Sequence, residues 1–228
     1  MTAEWPVVDA HVARLTAPQP VLPTTEWDFA HVQFADDDLI AIGADLEVGT
    51  LLNAYSNGLF PMPLRRNELG WFSPVQRGVI PIDGFHVSSS LRKHARRFTV
   101  DFDTRFTEVM EACGDKKRKH GWINDDFIRA YSELHRRGWA HSCEVYADDQ
   151  LVGGVYGVRI GRFFAGESMF HRRTDASKIA LWVLTATMRV AGIRLFDVQW
   201  TTPHLVSLGA IDVPRAEYLG LLAEASKS

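Results

Sequence analysis

Only two cysteines, Cys113 and Cys143, occur in 228 residues, and neither stands in a Cys-x-x-Cys or other zinc spacing. A disulfide framework is excluded, since one cross-link is the most the chain can make, and both are read as free thiols. His141-Ser142-Cys143 matches no recognised metal site, so no metal is expected. Long apolar runs are missing too: none approaches the ~20 residues that cross a bilayer. The opening Met-Thr-Ala-Glu-Trp-Pro lacks the basic-then-apolar layout of a signal peptide, which makes a cytoplasmic location without membrane contact the expectation. An excess of one charge is also lacking. With 25 basic and 28 acidic side chains the net charge is −3, so any affinity for nucleic acid has to come from a local field. No internal repeat or low-complexity segment stands out.

What is present is material for a sizeable core: 46% of the residues are hydrophobic, enough for one large or two modest domains. Up to about Ala35 the chain carries scattered prolines (Pro6, Pro18, Pro20, Pro23) and little periodicity, which predicts a loosely ordered arm. A short helical pattern through Leu51-Leu52-Asn53-Ala54-Tyr55 closes at Asn57-Gly58. Leu59-Phe60-Pro61-Met62-Pro63 must be extended, because each proline biases its predecessor away from helix. A boundary is placed near Arg77, dividing residues 1–76 from 77–228, with Val79-Ile80-Pro81-Ile82 as the first strand of the second unit.

Ser88-Ser89-Ser90 offers an N-cap to a helix over Leu91 to Arg97. On it Arg92 with Arg96, and Lys93 with Arg97, fall at one-turn spacing and form a cationic ridge, either a solvated face or a contact for an anionic partner. Lys116-Lys117-Arg118-Lys119-His120 is a basic run of the kind that is usually solvated. A strand over Phe98 to Phe102 and a helix over Arg105 to Ala112 precede it. An amphipathic helix spans about Asp125 to Arg137, with Phe127, Ile128, Tyr131, Leu134 and His135 at amphipathic spacing and Gly138 at its end. Three strands follow as an antiparallel meander: Ala140–Tyr146, Leu151–Val158 and Phe163–Phe170. A helix over Lys178 to Ala191, a strand over Arg194 to Trp200, a turn over His204 to Leu208 and a helix over Pro214 to Glu224 complete the chain.

The chemistry is concentrated between Gly153 and Phe170. Arg159-Ile160-Gly161-Arg162 makes the turn of a hairpin, and Gly153, Gly154 and Gly157 leave room for something to lie against the backbone. Glu167 sits between Phe163-Phe164 and Met169-Phe170, where its carboxylate enters an apolar wall or else meets solvent or an arginine.

A meander entering a helix and then another strand resembles the N-acyltransferase fold. The blocks Leu59-Phe60-Pro61, Trp71-Phe72-Ser73-Pro74, Trp122-Ile123, His141 to Val145, Leu151 to Gly157, Gly166-Glu167-Ser168-Met169-Phe170, Ala176-Ser177-Lys178, Asp197-Val198-Gln199 and Ser207 to Ala210, taken in order, resemble the leucyl/phenylalanyl-tRNA–protein transferases from about Leu39 to Tyr218. The resemblance implies an α+β protein: a small N-terminal domain beside an N-acetyltransferase-type domain whose mixed, mostly antiparallel sheet is flanked by helices. It implies transfer of leucine, phenylalanine or methionine from aminoacyl-tRNA to proteins beginning with arginine or lysine, marking them for degradation. No cofactor is implied, because the ester is already activated, and a monomer is expected.

By the same resemblance Val155, Phe164, Met169 and Leu184 line an aminoacyl pocket, with Tyr55, Tyr131 and Ser168 as lesser candidates for holding the ester. Trp122 and then Trp71 would stack on the terminal adenosine; Met62 stands where some relatives have a tryptophan. Lys93, Arg96 and Arg97, with Arg92, would meet phosphates, and Glu167 the acceptor's cation. Asp197 would accept a hydrogen bond from the Gln199 amide nitrogen, making the glutamine oxygen a better proton acceptor. An acyl-CoA-dependent enzyme on the same fold would want a glycine-rich pyrophosphate loop, and His171 to Ser177 contains no glycine. A non-catalytic adaptor for protein N-termini would need the acidic niche but neither the basic helix nor the tryptophans.

Overall fold

The computed structural model describes residues 8–65, 68–115 and 122–227. In chain order the elements are α1 (Asp9–Thr16), β1 (Leu39–Ile42), α2 (Val48–Ser56), β2 (Phe60–Arg65), β3 (Glu68–Phe72), β4 (Gln76–Val79), α3 (Ser89–Ala95), β5 (Thr99–Phe102), α4 (Phe106–Cys113), α5 (Asp125–Arg136), β6 (Ala140–Ala147), β7 (Gln150–Ile160), β8 (Phe163–His171), α6 (Ala176–Val190), β9 (Leu195–Gln199), α7 (Pro203–Val206), β10 (Ile211–Pro214) and α8 (Arg215–Ala225).

Strands β1, β3 and β2 form a small antiparallel sheet in that order. Among the described residues the large sheet has seven strands in the order β10-β4-β9-β8-β7-β6-β5, and its one parallel pairing is β8 with β9. The chain is therefore α+β, with a mixed and mostly antiparallel sheet. Side chains alternate across the strands and feed two cores. Tyr156 and Phe163 enter one, with α2, α4, α5 and α8; Val155 and Phe164 enter the other, against α6.

Local chemistry accounts for the helices that matter most. The Asn124 side chain caps α5 by accepting from the N–H groups of Asp126 and Phe127 at 3.0 and 3.1 Å. Asp125 and Asp126 lie at its positive end, His135 and Arg136 at its negative end, and Phe127, Tyr131 and Leu134 face the core. Helix α6 is buried without a break from Ile179 to Met188, as befits a helix apolar on all sides. Gly192, at φ +75°, ends it.

Three expectations need correction. The arm is not structureless: α1 docks on the large sheet, with Leu15 buried, and the Arg159 guanidinium donates to the carbonyls of Leu15 and Ala17 at 2.8 and 2.6 Å. Pro18 stops the helix but does not detach the segment. The strand expected over Val79 to Ile82 instead ends at Val79, having begun at Gln76. Finally, the room beside the glycines of β7 is filled by the protein itself. A Cβ on Gly153 would lie 2.5 Å from that of Ala176, and one on Gly157 only 2.2 Å from the Ala165 carbonyl oxygen.

Two bulges shape the centre of the sheet. Tyr156 pairs with Ser168 and Gly157 with Gly166, which leaves Glu167 as an extra residue on β8. Gly78 pairs with Gln199 and Val79 with Asp197, which leaves Val198 extra on β9. The parallel ladder between β8 and β9 runs from Phe163 and Leu195 to Ala165 and Asp197, and the strands part beyond it.

Gly157→Ala is expected to cost about 2 kcal/mol or more, because the atom its methyl meets is a backbone oxygen that cannot move aside. Gly220→Ala, in exposed α8 with open space around it, should stabilise by about 0.5–1 kcal/mol. Urea unfolding of the two variants checks both signs.

Candidate active site

Where β8 and β9 part, a cavity of about 200 Å³ opens. Val155, Gly166, Glu167, Ser168 and Met169 line one side, Phe196, Val198 and Gln199 the other, and Leu181 of α6 with Leu205 of α7 close it. A Cβ on Gly166 would lie 2.9 Å from the Phe196 ring, so the glycine lets that ring form part of the wall. A larger groove of about 570 Å³ runs between the small sheet and α5, where Asp126 pairs with Arg129 and Glu133 with Arg137. The smaller cavity is where apolar walls and convergent polar groups coincide.

Glu167 is half-buried at this cavity. Its Oε2 accepts from the Tyr131 hydroxyl at 3.3 Å and its Oε1 from the Gln199 amide nitrogen at 3.4 Å. The Tyr55 and Tyr131 hydroxyl oxygens are 2.5 Å apart, so the carboxylate heads a short chain of buried hydroxyls. Burial pushes the Glu167 carboxyl up to about 8; the Asp197 charge adds to this, while hydrogen bonds from Tyr55 and Tyr131 and the Arg77 charge oppose it. Burial, reinforced by the Glu167 charge, also holds both tyrosines well above their ordinary range.

Asp197 lies on the other side of the parting strands, with no exposed surface. Arg77 grips it with two bonds, Nε to Oδ1 at 2.8 Å and Nη2 to Oδ2 at 2.6 Å. Tyr218 donates to Oδ2 at 3.0 Å and the Gln199 backbone N–H to Oδ1 at 2.9 Å. Burial works against the Arg77 cation, but the Asp197 charge outweighs it and leaves the guanidinium more basic than usual. The expected bond from the Gln199 side-chain amide to Asp197 is not the one formed. Gln199 has φ +60°, which turns its side chain away from the side Asp197 faces and brings its amide nitrogen to Glu167.

Of the other residues singled out in the sequence, Val155, Ser168 and Met169 line the cavity, and Tyr55 and Tyr131 stand behind Glu167. Phe164 and Leu184 do not line it; they are buried in the core beside it, Phe164 edge-on to Phe196 at 5.9 Å. Trp71 is also removed from any ligand: it is fully buried, with its indole N–H on the Gly43 carbonyl at 2.8 Å. Trp122 is half-buried and edge-on to Phe127 at 5.1 Å. Lys93, Arg96 and Arg97 are exposed and Arg92 is half-buried, but α3 ends at Ala95, so Lys93 and Arg97 do not share a helical face. The run Lys116 to His120 lies outside the described residues. Sequence reasoning missed Arg77, Tyr218, Leu181, Phe196, Val198 and Leu205. For Arg77 there was a signal, a single charge opening the apolar run Gly78-Val79-Ile80.

Residues 79–223 match the family model for leucyl/phenylalanyl-tRNA protein transferase, and residues 44–75 match the model for the N-terminal domain of the same proteins. A leucyl/phenylalanyl-tRNA–protein transferase of Pseudoalteromonas atlantica is 48% identical over 202 residues, 87% of this chain and 86% of that protein. One of Cereibacter sphaeroides is 52% identical over 179 residues, 77% of this chain and 83% of that protein. Among solved structures, a crystal structure of FemX overlays with a TM-score of 0.42 at 13% identity, over 77% of this chain and 71% of that one.

The raised Glu167 pKa carries a stability consequence with a definite sign. The folded state holds this proton up to about pH 8 and the unfolded chain only to about 4.5, so the contribution is full below 4.5 and is lost as pH rises through 8. Glu167→Gln lacks that loss. Relative to the unsubstituted protein it should gain about 2 kcal/mol between pH 5 and 8.5, after allowing for solvent reaching the carboxylate through the cavity. Unfolding free energies at several pH values test this, and a difference independent of pH would contradict it.

Proposed function

The chain belongs to the leucyl/phenylalanyl-tRNA–protein transferase family, and on that footing we propose how its cavity serves the reaction, which substrates it takes and where it works. It is an aminoacyltransferase acting between aminoacyl-tRNA and protein. In the proposed reading it moves leucine, phenylalanine or methionine to the α-amino group of proteins that begin with arginine or lysine, as a cytoplasmic monomer feeding N-terminal degradation signals. In the same reading residues 1–76 form the small N-terminal domain, whose α1 packs back on the second, and residues 77–228 the N-acyltransferase-like catalytic domain, whose sheet takes in Gln76 as well.

The observation that carries this reading is the meeting of Glu167 and Gln199, from two bulged strands, over an apolar cavity. The amino acid side chain enters between Val155, Met169, Leu181, Phe196, Val198 and Leu205. Such walls separate ligands by only ~1–3 kcal/mol per methylene, which suits an enzyme that accepts several related residues. The nucleotide stays outside the cavity, stacked on Trp122, while Lys93, Arg96 and Arg97, with Arg92, hold phosphates.

Glu167 meets the cationic N-terminal residue of the acceptor. Its pKa of about 8 lies beside that of a protein α-amino group, ~7.7–8.0, so a proton passes between the two with little cost. The Gln199 amide nitrogen is committed to Glu167, which turns the glutamine oxygen to the attacking amine and orients its lone pair. The amine nitrogen bonds to the ester carbonyl carbon, the ester C–O bond breaks, and the amine proton leaves on the 3′ oxygen of the tRNA. Ser168 lies at the ester end of the cavity, and Tyr55 and Tyr131 hold Glu167 from behind.

Incubation with radiolabelled leucyl-, phenylalanyl- or methionyl-tRNA and a peptide starting with arginine should place label in the peptide; its absence with all three aminoacyl-tRNAs overturns the assignment. Glu167→Ala should lose transfer to arginine- and lysine-starting peptides by about 100-fold or more yet still bind aminoacyl-tRNA. Replacing Lys93, Arg96 and Arg97 together should flatten the dependence of log K on log salt by about 1 to 3 units, as expected for one counterion per lost phosphate contact.

A further inference from the structure

Asp197 has no acceptor capacity left for chemistry. An ionised carboxylate offers about four lone-pair positions. Here they are taken by Arg77 Nε and the Gln199 backbone N–H on Oδ1, and by Arg77 Nη2 and the Tyr218 hydroxyl on Oδ2. What Asp197 does hold is the backbone of Gln199, a non-glycine residue at φ +60°. That conformation is strained for a residue with a side chain and persists only where the surroundings over-determine it. The clamp is itself fixed from the far side. Arg77 lies between the rings of Phe60 and Tyr218, 4.8 and 4.5 Å from their centres, and its Nη1 donates to the Gly58 carbonyl at 3.0 Å. Gly58 lies two residues past the end of α2, the helix that carries Tyr55 to the chain of hydroxyls behind Glu167. One guanidinium therefore reaches both halves of the cavity's polar apparatus.

We propose that Arg77, assisted by Tyr218, is a positioning residue for aminoacyl transfer. It saturates and orients Asp197 so that this carboxylate acts as a clamp on the Gln199 backbone, keeping the glutamine side chain against Glu167 over the cavity. Asp197 serves the reaction through the main chain of its neighbour and makes no contact with substrate. The proposal rests on the reading of Gln199 as a participant in transfer.

The experiment measures kcat and KM in the transfer assay, and the affinity for phenylalanyl-tRNA, for Arg77→Lys, Tyr218→Phe, Gln199→Ala and the double variant Arg77→Lys/Gln199→Ala. Arg77→Lys keeps the charge but loses the two-pronged grip, and kcat should fall about 100-fold, the scale of a misplacement of about 1 Å. Tyr218→Phe keeps the ring on Arg77, removes one donor and should lower kcat about 5- to 10-fold. In both, affinity for phenylalanyl-tRNA should change less than about threefold, a split that general loosening of the fold would not produce. Because Arg77 acts through Gln199, the double variant should be no slower than Gln199→Ala alone. If Gln199→Ala is slow and the Arg77 and Gln199 losses multiply, or if both Arg77→Lys and Tyr218→Phe keep full turnover, the positioning role is overturned and the reading of Gln199 stands. If Gln199→Ala itself turns over at the unsubstituted rate, that reading fails and the positioning role falls with it.

Discussion

The site depends on two neighbouring strands that run parallel for three residue pairs and then separate. At the point of separation, the buried pair of Arg77 and Asp197 ties β4 to β9 while Glu167 bulges out of β8. A buried ion pair is seldom a source of net stability, because taking two charges out of water costs several kcal/mol each, and good geometry at best offsets it. The geometry here is good, with a planar guanidinium and a carboxylate joined by two bonds and their remaining positions filled by Gly58, Tyr218 and Gln199. Such an arrangement rewards specificity of conformation more than strength. It keeps a polar junction in one state in a region that would otherwise pack as oil.

Across the gap the opposite condition holds. Among the described residues Glu167 has hydrogen-bond donors but no cation in contact, so burial dominates and its proton is held to about pH 8. Two carboxylates less than one strand apart thus carry different duties. Asp197 is compensated by an arginine and withdrawn from solvent, whereas Glu167 is undercompensated and open to the cavity. Environment alone separates the two. A buried carboxyl with so little compensation beside an apolar recess ionises when a cation comes to meet it, and the family's reaction, in the proposed reading, brings such a group as the acceptor's N-terminus.

The helices and loops around the sheet follow the same division. α6, apolar on every side, forms the floor of the cavity through Leu181, while α5 presents Tyr131 on its apolar face and Trp122 just before its cap. Arg159, buried and held by two carbonyls, straps the N-terminal helix to the sheet from a position two residues along β7 from the bulge at Gly157. Its cost in desolvation depresses its basicity, and its reward is a segment that two prolines would otherwise leave loose.

The order and type of most elements were legible from residue patterns alone, and the class of reaction through the resemblance to a family. The alternation of β6 to β8, the 3.6-residue period of α5, and stops such as Gly58, Gly138 and Gly192 are local patterns, and local patterns determine local structure. The pairing of Glu167, Gln199 and Asp197 with one another's neighbourhood was readable only through family motifs. Which atoms touch was decided by the tertiary structure. Arg77 and Asp197 are 120 residues apart, the extra residues at Glu167 and Val198 depend on how three strands register, and the left-handed turn at Gln199 exists because a distant guanidinium holds the carboxylate that holds its N–H. The same reason covers the errors: whether Trp71, Phe164 or Leu184 faces a ligand or the core depends on what packs against it, and that partner comes from another part of the chain.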